Sequence, residues 1–211
     1  MKKTILTLSC TMIYIASFSQ TLNEALKATY DQFSDAHDQI AMIAASNRFV
    51  LIANKWSKEW IAHYYAAYAQ SIIGAIEQDN KRKASLFDEA EKSLSQAATL
   101  GGSNSDDVYA LKAMIASMRI DIEPDQWQKY MEIFSINLKK AKDMRKKNPR
   151  LYYIEGMSKF YTPEAYGGGK QAALPYFEKA KEYFDVEKTD DIRKPFWGKK
   201  QNEEMIKKCS E

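Results

Sequence analysis

Two octapeptides, Ala90-Glu91-Lys92-Ser93-Leu94-Ser95-Gln96-Ala97 and Ala173-Leu174-Pro175-Tyr176-Phe177-Glu178-Lys179-Ala180, carry one pattern: small, large, small at spacings of four and three. On a helix those spacings bring the three residues onto one stripe. A stripe of that shape lets a second helix nest closely against a first. Working outward, Tyr109 stands four residues before Ala113, and Tyr152 four before Gly156. Each is an aromatic followed by the small residue needed where two helices cross. An earlier copy falls around Trp60-Ile61-Ala62-His63-Tyr64-Tyr65-Ala66-Ala67. A helix pair cannot bury its apolar face alone, so pairs that repeat must stack and be capped at the ends.

The rest of the chain agrees. Helical periodicity is predicted over 22–38, 39–54, 57–78, 81–99, 106–121, 126–147, 150–161, 170–186 and 198–209, the last segment reading as a cap. Turn chemistry separates the segments at Gly101-Gly102-Ser103-Asn104, Glu123-Pro124-Asp125, Asn148-Pro149, Thr162-Pro163 and Gly167-Gly168-Gly169. Phe49-Val50-Leu51-Ile52 is β-branched in part, but it sits inside helical spacing and reads as a buried helix face. With 45% hydrophobic and 28% charged residues in 211, the composition is that of a globular domain able to bury a core of its own.

The first nineteen residues follow different rules. Lys2-Lys3 precede an apolar run from Thr4 to Phe18, and Ser17 and Ser19 supply the small residues at −3 and −1 before Gln20. This predicts a signal peptide over 1–19 that is cleaved to leave one domain over 20–211. The run of about 15 residues falls short of the roughly 20 needed to span a bilayer. Export to the periplasm or beyond follows. A lipid anchor on Cys10 is the weaker alternative, because Thr7-Leu8-Ser9 lacks the aliphatic residue usual three places before such a cysteine. Cys209 would then be the sole cysteine of the mature chain, excluding an internal disulfide.

The phrases Trp60 to Ala67 (WIAHYYAA), Asn148 to Gly156 (NPRLYYIEG), Phe160 to Lys170 (FYTPEAYGGGK) and Phe196 to Lys199 (FWGK) resemble an exported tetratricopeptide-repeat family of Bacteroidetes-type bacteria. The resemblance covers nearly the whole predicted mature chain. It implies an all-α fold of degenerate tetratricopeptide-like antiparallel helix pairs, stacked as a short right-handed solenoid with a C-terminal capping helix. It implies no assigned activity. Insertions between Ala67 and Ala90 and between Gly156 and Ala173 stretch the repeats beyond the family's usual length. A looser similarity connects the glycine-rich element to the helical T-components of TRAP transporters.

Charge and motif counts narrow the function. Lys2 and Lys3 leave with the leader, so 29 basic residues face 28 acidic ones, too even a balance for a nucleic-acid partner. Only His37 and His63 occur, with no paired histidine or cysteine spacing, so no metal site is expected. Gly167-Gly168-Gly169-Lys170 departs from a phosphate loop, having Glu164 five places before Gly169 and Gln171 after the lysine. No nucleophile elbow is present, and no catalytic residue or cofactor is expected.

What remains is binding. Counting from Tyr152 and Gly156 places Tyr153, Met157, Phe160 and Tyr161 on the concave groove of the solenoid, where they would hold an envelope protein or an extended peptide. The alternative is a small-ligand receptor at the glycine-rich elbow, with Tyr166, Gly167, Gly168, Gly169 and Lys170 offering amides and a cation to an anion. A groove open along its length favours the scaffold, and a closed pocket near Tyr161, Tyr166 and Lys170 favours the receptor.

Overall fold

The computed structural model describes residues 20–188 and 191–211, so the predicted leader and Cys10 lie outside the described residues. Nine α-helices occur among them and no strand: α1 (Leu22–Ser34), α2 (Gln39–Lys55), α3 (Trp60–Ile76), α4 (Asn80–Thr99), α5 (Asp106–Arg119), α6 (Trp127–Met144), α7 (Pro149–Tyr161), α8 (Lys170–Phe184) and α9 (Lys199–Ser210). Their starts follow local chemistry. Thr21 and Glu24 form a reciprocal capping box on α1, and the side chains of Asp38, Asp79 and Asn148 accept amides at the starts of α2, α4 and α7. Pro149 occupies the first turn of α7, where its missing amide costs nothing. None of these helices is long and apolar enough to cross a membrane.

The helices pack in consecutive pairs, α1 on α2, α3 on α4, α5 on α6 and α7 on α8, with α9 closing the stack against α8. This is an all-α helical-repeat fold. Both octapeptides sit where their pattern requires: Ala90, Leu94, Ala97, Ala173, Phe177 and Ala180 are all at most 1% exposed. Two further copies are buried in the same way, Ala45-Phe49-Ile52 on α2 and Phe134-Leu138-Ala141 on α6. They escape a search for small-large-small because Ile52 and Phe134 fill positions that alanine takes elsewhere. The central residues Phe49, Leu94, Leu138 and Phe177 recur every 39 to 45 residues, longer than the roughly 34 of a tetratricopeptide repeat.

The crossings are close. A Cβ added at Gly156 would lie 2.6 Å from the Phe177 ring, and one at Gly74 would lie 3.1 Å from Phe87. Phe177 is fully buried, so its ring has nowhere to retreat. The capping helix is fixed by Asn202, whose Nδ2 donates to the Phe177 carbonyl at 2.9 Å, and by buried Met205. Cys209 is a half-buried free thiol on that helix.

One connection is not a short turn. Between α8 and α9, residues 185–188 and 191–198 form a strap, and the latter stretch lies across the first helices of the earlier pairs. Trp197 Nε1 donates to Tyr64 Oη at 2.7 Å, Tyr65 Oη donates to the Ile192 carbonyl at 3.1 Å, and Arg193 pairs with Glu59 at 2.5 Å. Trp197 stacks on Tyr68 at 4.9 Å and Phe196 meets Tyr30 edge-on at 4.8 Å. The strap thus joins the last pair to α1 and α3. Gly156→Val is expected to lower stability by about 1–3 kcal/mol through overpacking against Phe177. Phe177→Leu in the same chain should recover part of that loss in thermal melts, and an unchanged melt of the single variant would refute the close crossing.

Candidate functional site

The first helices of successive pairs lie side by side, α1 by α3, α3 by α5 and α5 by α7, and the middle of the face they form is already filled by the strap. Tyr153, expected to greet a partner in a concave groove, is 9% exposed, packed 6.4 Å from Trp197 and 6.2 Å from Phe177. The chain's own strap takes the place foreseen for a ligand. Met157 and Phe160 are half-buried and Tyr161 is 70% exposed, so only the far end of α7 remains open on this face.

The glycine-rich elbow also differs from expectation. The amide of Gly167 donates to the Glu164 carbonyl at 2.9 Å, that of Gly168 to Pro163 at 3.2 Å and that of Gly169 to Lys159 at 2.9 Å. Amides foreseen as anion donors are spent folding the elbow on itself. Gly168 is required there, because a Cβ would fall 2.0 Å from the Thr162 carbonyl oxygen. Tyr166 stands 80% exposed, and Lys170 is exposed at the start of α8. None of the nine candidate residues lines either of the two clefts described next.

The basal cleft, of about 540 Å³, lies where the starts of α3, α5 and α7 meet the strap. Its floor is an ion network centred on Arg150, which is 0% exposed. The guanidinium donates to Glu187 Oε1 and Oε2 at 2.8 and 3.0 Å and to the Pro195 carbonyl, and its Nε lies 3.6 Å from Asp107 Oδ1. Its face lies 5.5 Å from the Trp197 ring centre. Arg145 adds bonds to Asp106 at 2.6 Å and to Asp107 at 3.2 Å, and Asn148 donates to both aspartates. Burial alone would weaken the hold of Arg150 on its proton, but Asp107 and Glu187 reverse the sign and keep it charged. Burial pushes the Asp107 carboxyl up, with Arg150 opposing.

Arg145 and Arg150 therefore offset two of the three negative charges on Asp106, Asp107 and Glu187. The other charged lining residues among those described are cations: Lys147, Lys188, Arg193, which is already paired with Glu59, and Lys194, 3.8 Å from Asp191. Trp60 and Tyr183 offer flat aromatic faces, and Pro149 and Pro195 supply rigid apolar walls. No histidine, methionine or cysteine lines the cleft. The signal that could have found the cleft was the eleven-residue spacing between the segments predicted over 170–186 and 198–209, too long for a turn between packed helices.

The outer cleft, of about 570 Å³, lies on the opposite side, between the second helices α4 and α6 with α5 as its floor. It is organised around Arg119, 4% exposed, which bonds Glu91 at 2.7 Å, Glu123 at 2.9 Å and also Asp88.

No family model matches this chain, and no curated sequence does. Among solved structures it is similar to the HusA haemophore from Porphyromonas gingivalis. The identity is 29% over 88% of this chain and 92% of that one, with a TM-score of 0.71. The likeness extends across nearly all of both chains and supports a binding role rather than a catalytic one.

Two outcomes test this description. Arg150→Met should cost about 3–5 kcal/mol in denaturant unfolding, since it strands Asp107 and Glu187 in a buried site. A loss below about 1 kcal/mol would contradict the central role given to Arg150. Burial raises Tyr30 to about 12 and holds Tyr64, Tyr65 and Tyr68 well above the ordinary phenol value of about 10. Because the folded values are raised, their contribution is complete below pH 10 and is lost as pH climbs beyond it. Tyrosinate absorbance from this group should rise together with loss of helical circular dichroism, and a separate earlier step would show that the group is not buried.

Proposed function

We propose that this chain is an exported, non-catalytic carrier of a haem-class ligand, a flat apolar macrocycle bearing paired carboxylates, and that the basal cleft receives it. The observation that carries the reading is the surplus of cations around a cleft walled by flat rings, in a chain whose likeness to a haemophore spans nearly its full length. Lys147, Arg193 and Lys194 on the rim suit the carboxylates, while Trp60, Tyr183, Pro149 and Pro195 suit the macrocycle face. A volume of about 540 Å³ lies within the roughly 300–1,000 Å³ of small-molecule sites. Lacking imidazole, thioether or thiol groups, the cleft holds its ligand by shape and charge, with the Tyr183 phenol as its sole aromatic hydroxyl.

Export belongs to the same proposal and rests on the leader pattern of residues 1–19. The tetratricopeptide assignment belongs here too, supported by the four buried blocks and weakened by their long period. A peptide-binding scaffold is the second reading, favoured by the open end of the concave face at Met157, Phe160 and Tyr161.

Haemin titration, followed by the Soret band and by quenching of tryptophan fluorescence, tests the carrier reading. Lys147→Glu combined with Lys194→Glu changes two exposed residues and should weaken binding about tenfold or more, equivalent to about 1.4 kcal/mol. Iron-free protoporphyrin should bind with affinity of the same order. No Soret change in the wild type overturns the reading, and wild-type affinity in the double variant removes the ligand from the basal cleft.

A further inference from the structure

The outer cleft has an electrical layout of its own, unconnected with the strap. α4 and α6 each pack on α5 but stand apart from one another, and small side chains at Ala84, Ser95 and Ala116 leave the gap between them unfilled. Its middle is apolar, formed by Leu94, Ile115 and Ile133.

One end is acidic. The Nε, Nη1 and Nη2 atoms of Arg119 are each committed to a different carboxylate, on Glu91, Glu123 and Asp88. Three negative charges thus surround one positive charge, and Lys129 across the rim leaves them still in surplus. Glu123 Oε2 accepts from Gln126 at 2.6 Å, whereas the second oxygens of Asp88 and Glu91 have no hydrogen-bond donor among the described residues. Asp88 and Glu91 are exposed. Their lone pairs are available to a cationic donor arriving at the rim. The guanidinium itself is sandwiched between Phe87 and Tyr130, 5.9 Å from each ring centre, so the acidic end is rigid.

The other end is basic. Lys112 has no carboxylate partner among the described residues, and it stands beside Ser95 and Asn137. Lys112 and Arg119 are seven positions apart on α5, so the two ends lie about 10 Å apart at 1.5 Å per residue. An extended chain advances about 3.3 Å per residue, so three residues span that interval. A metal ion is not what this end accommodates, since no metal-holding group of carboxylates, histidines or cysteines occurs among the described residues.

We infer that the outer cleft binds a short peptide of about three residues through its free termini, the α-ammonium at Asp88 and Glu91 and the α-carboxylate at Lys112, with an apolar central side chain over Leu94, Ile115 and Ile133. This site is separate from the basal cleft and does not depend on the haem-class reading.

Calorimetric titration with Ala-Leu-Ala and Ala-Phe-Ala, each free and with acetylated and amidated termini, tests the assignment. Free tripeptides should bind, and blocking both ends should cost at least tenfold. Asp88→Asn should abolish the preference for a free amino terminus, and Lys112→Gln the preference for a free carboxylate. Both changes lie on the cleft rim, and matched circular dichroism melts would show that the fold persists. Equal affinity for free and blocked peptides overturns the inference, as does absence of binding at millimolar free tripeptide or binding only of long chains with internal sequence. Haemin affinity should be unchanged in both variants, while Lys147→Glu with Lys194→Glu should leave tripeptide binding intact, so the two sites fail or stand separately.

Discussion

The Arg150 guanidinium is the point on which the rest of the structure converges. It is fully buried, it belongs to the fourth helix pair, and it grips Asp107 from the third pair and Glu187 and Pro195 from the strap. A cation sealed from water is costly unless carboxylates and hydrogen bonds surround it, so its presence dictates what must be near. Glu187 stands three residues past the end of α8, and the strap returns across the stack beyond it. Once there, it brings Trp197 against Arg150, Tyr64 and Tyr68, and the middle of the concave face is closed.

That closure separates this molecule from an open peptide-binding solenoid. In an open stack the first helices would present their aromatic residues to a partner. Here Tyr64, Tyr68 and Tyr153 present them to a tryptophan of the same chain. The binding proposed for this chain falls instead at two other places, the basal rim where the strap carries its cations and the outer face where α4 and α6 part over α5.

How much of this was written in the sequence depends on the range of the interaction. Local order was legible: Asn148-Pro149 starts α7 as read, the octapeptides are buried as read, and the cap at 199–210 matches the segment assigned. These depend on residues within one or two turns of each other. The third and first copies of the repeat were hidden because Phe134 and Ile52 stand in for small residues, which a pattern built on alanine passes over. The sites were not legible. Tyr153 was expected to face a groove, but nothing near position 153 announces that Trp197 packs against it. The glycines of the elbow were recognised as unusual, yet whether their amides face a ligand or their own carbonyls is decided by backbone geometry. Each cleft draws on several helices, so no contiguous motif marks it.

A stack of helix pairs held only by nearest neighbours can gain or lose a unit without rewriting its ends, which is how such proteins vary in length. The strap removes that freedom. Its contacts join residues 127 to 134 positions apart, from Tyr65 to Ile192, Tyr64 to Trp197 and Glu59 to Arg193. Adding one pair between α3 and α8 would carry those partners beyond reach of one another. The number of repeats is thereby set by the length of a loop. A lineage carrying this strap can diversify its surfaces, but not the count of its parts.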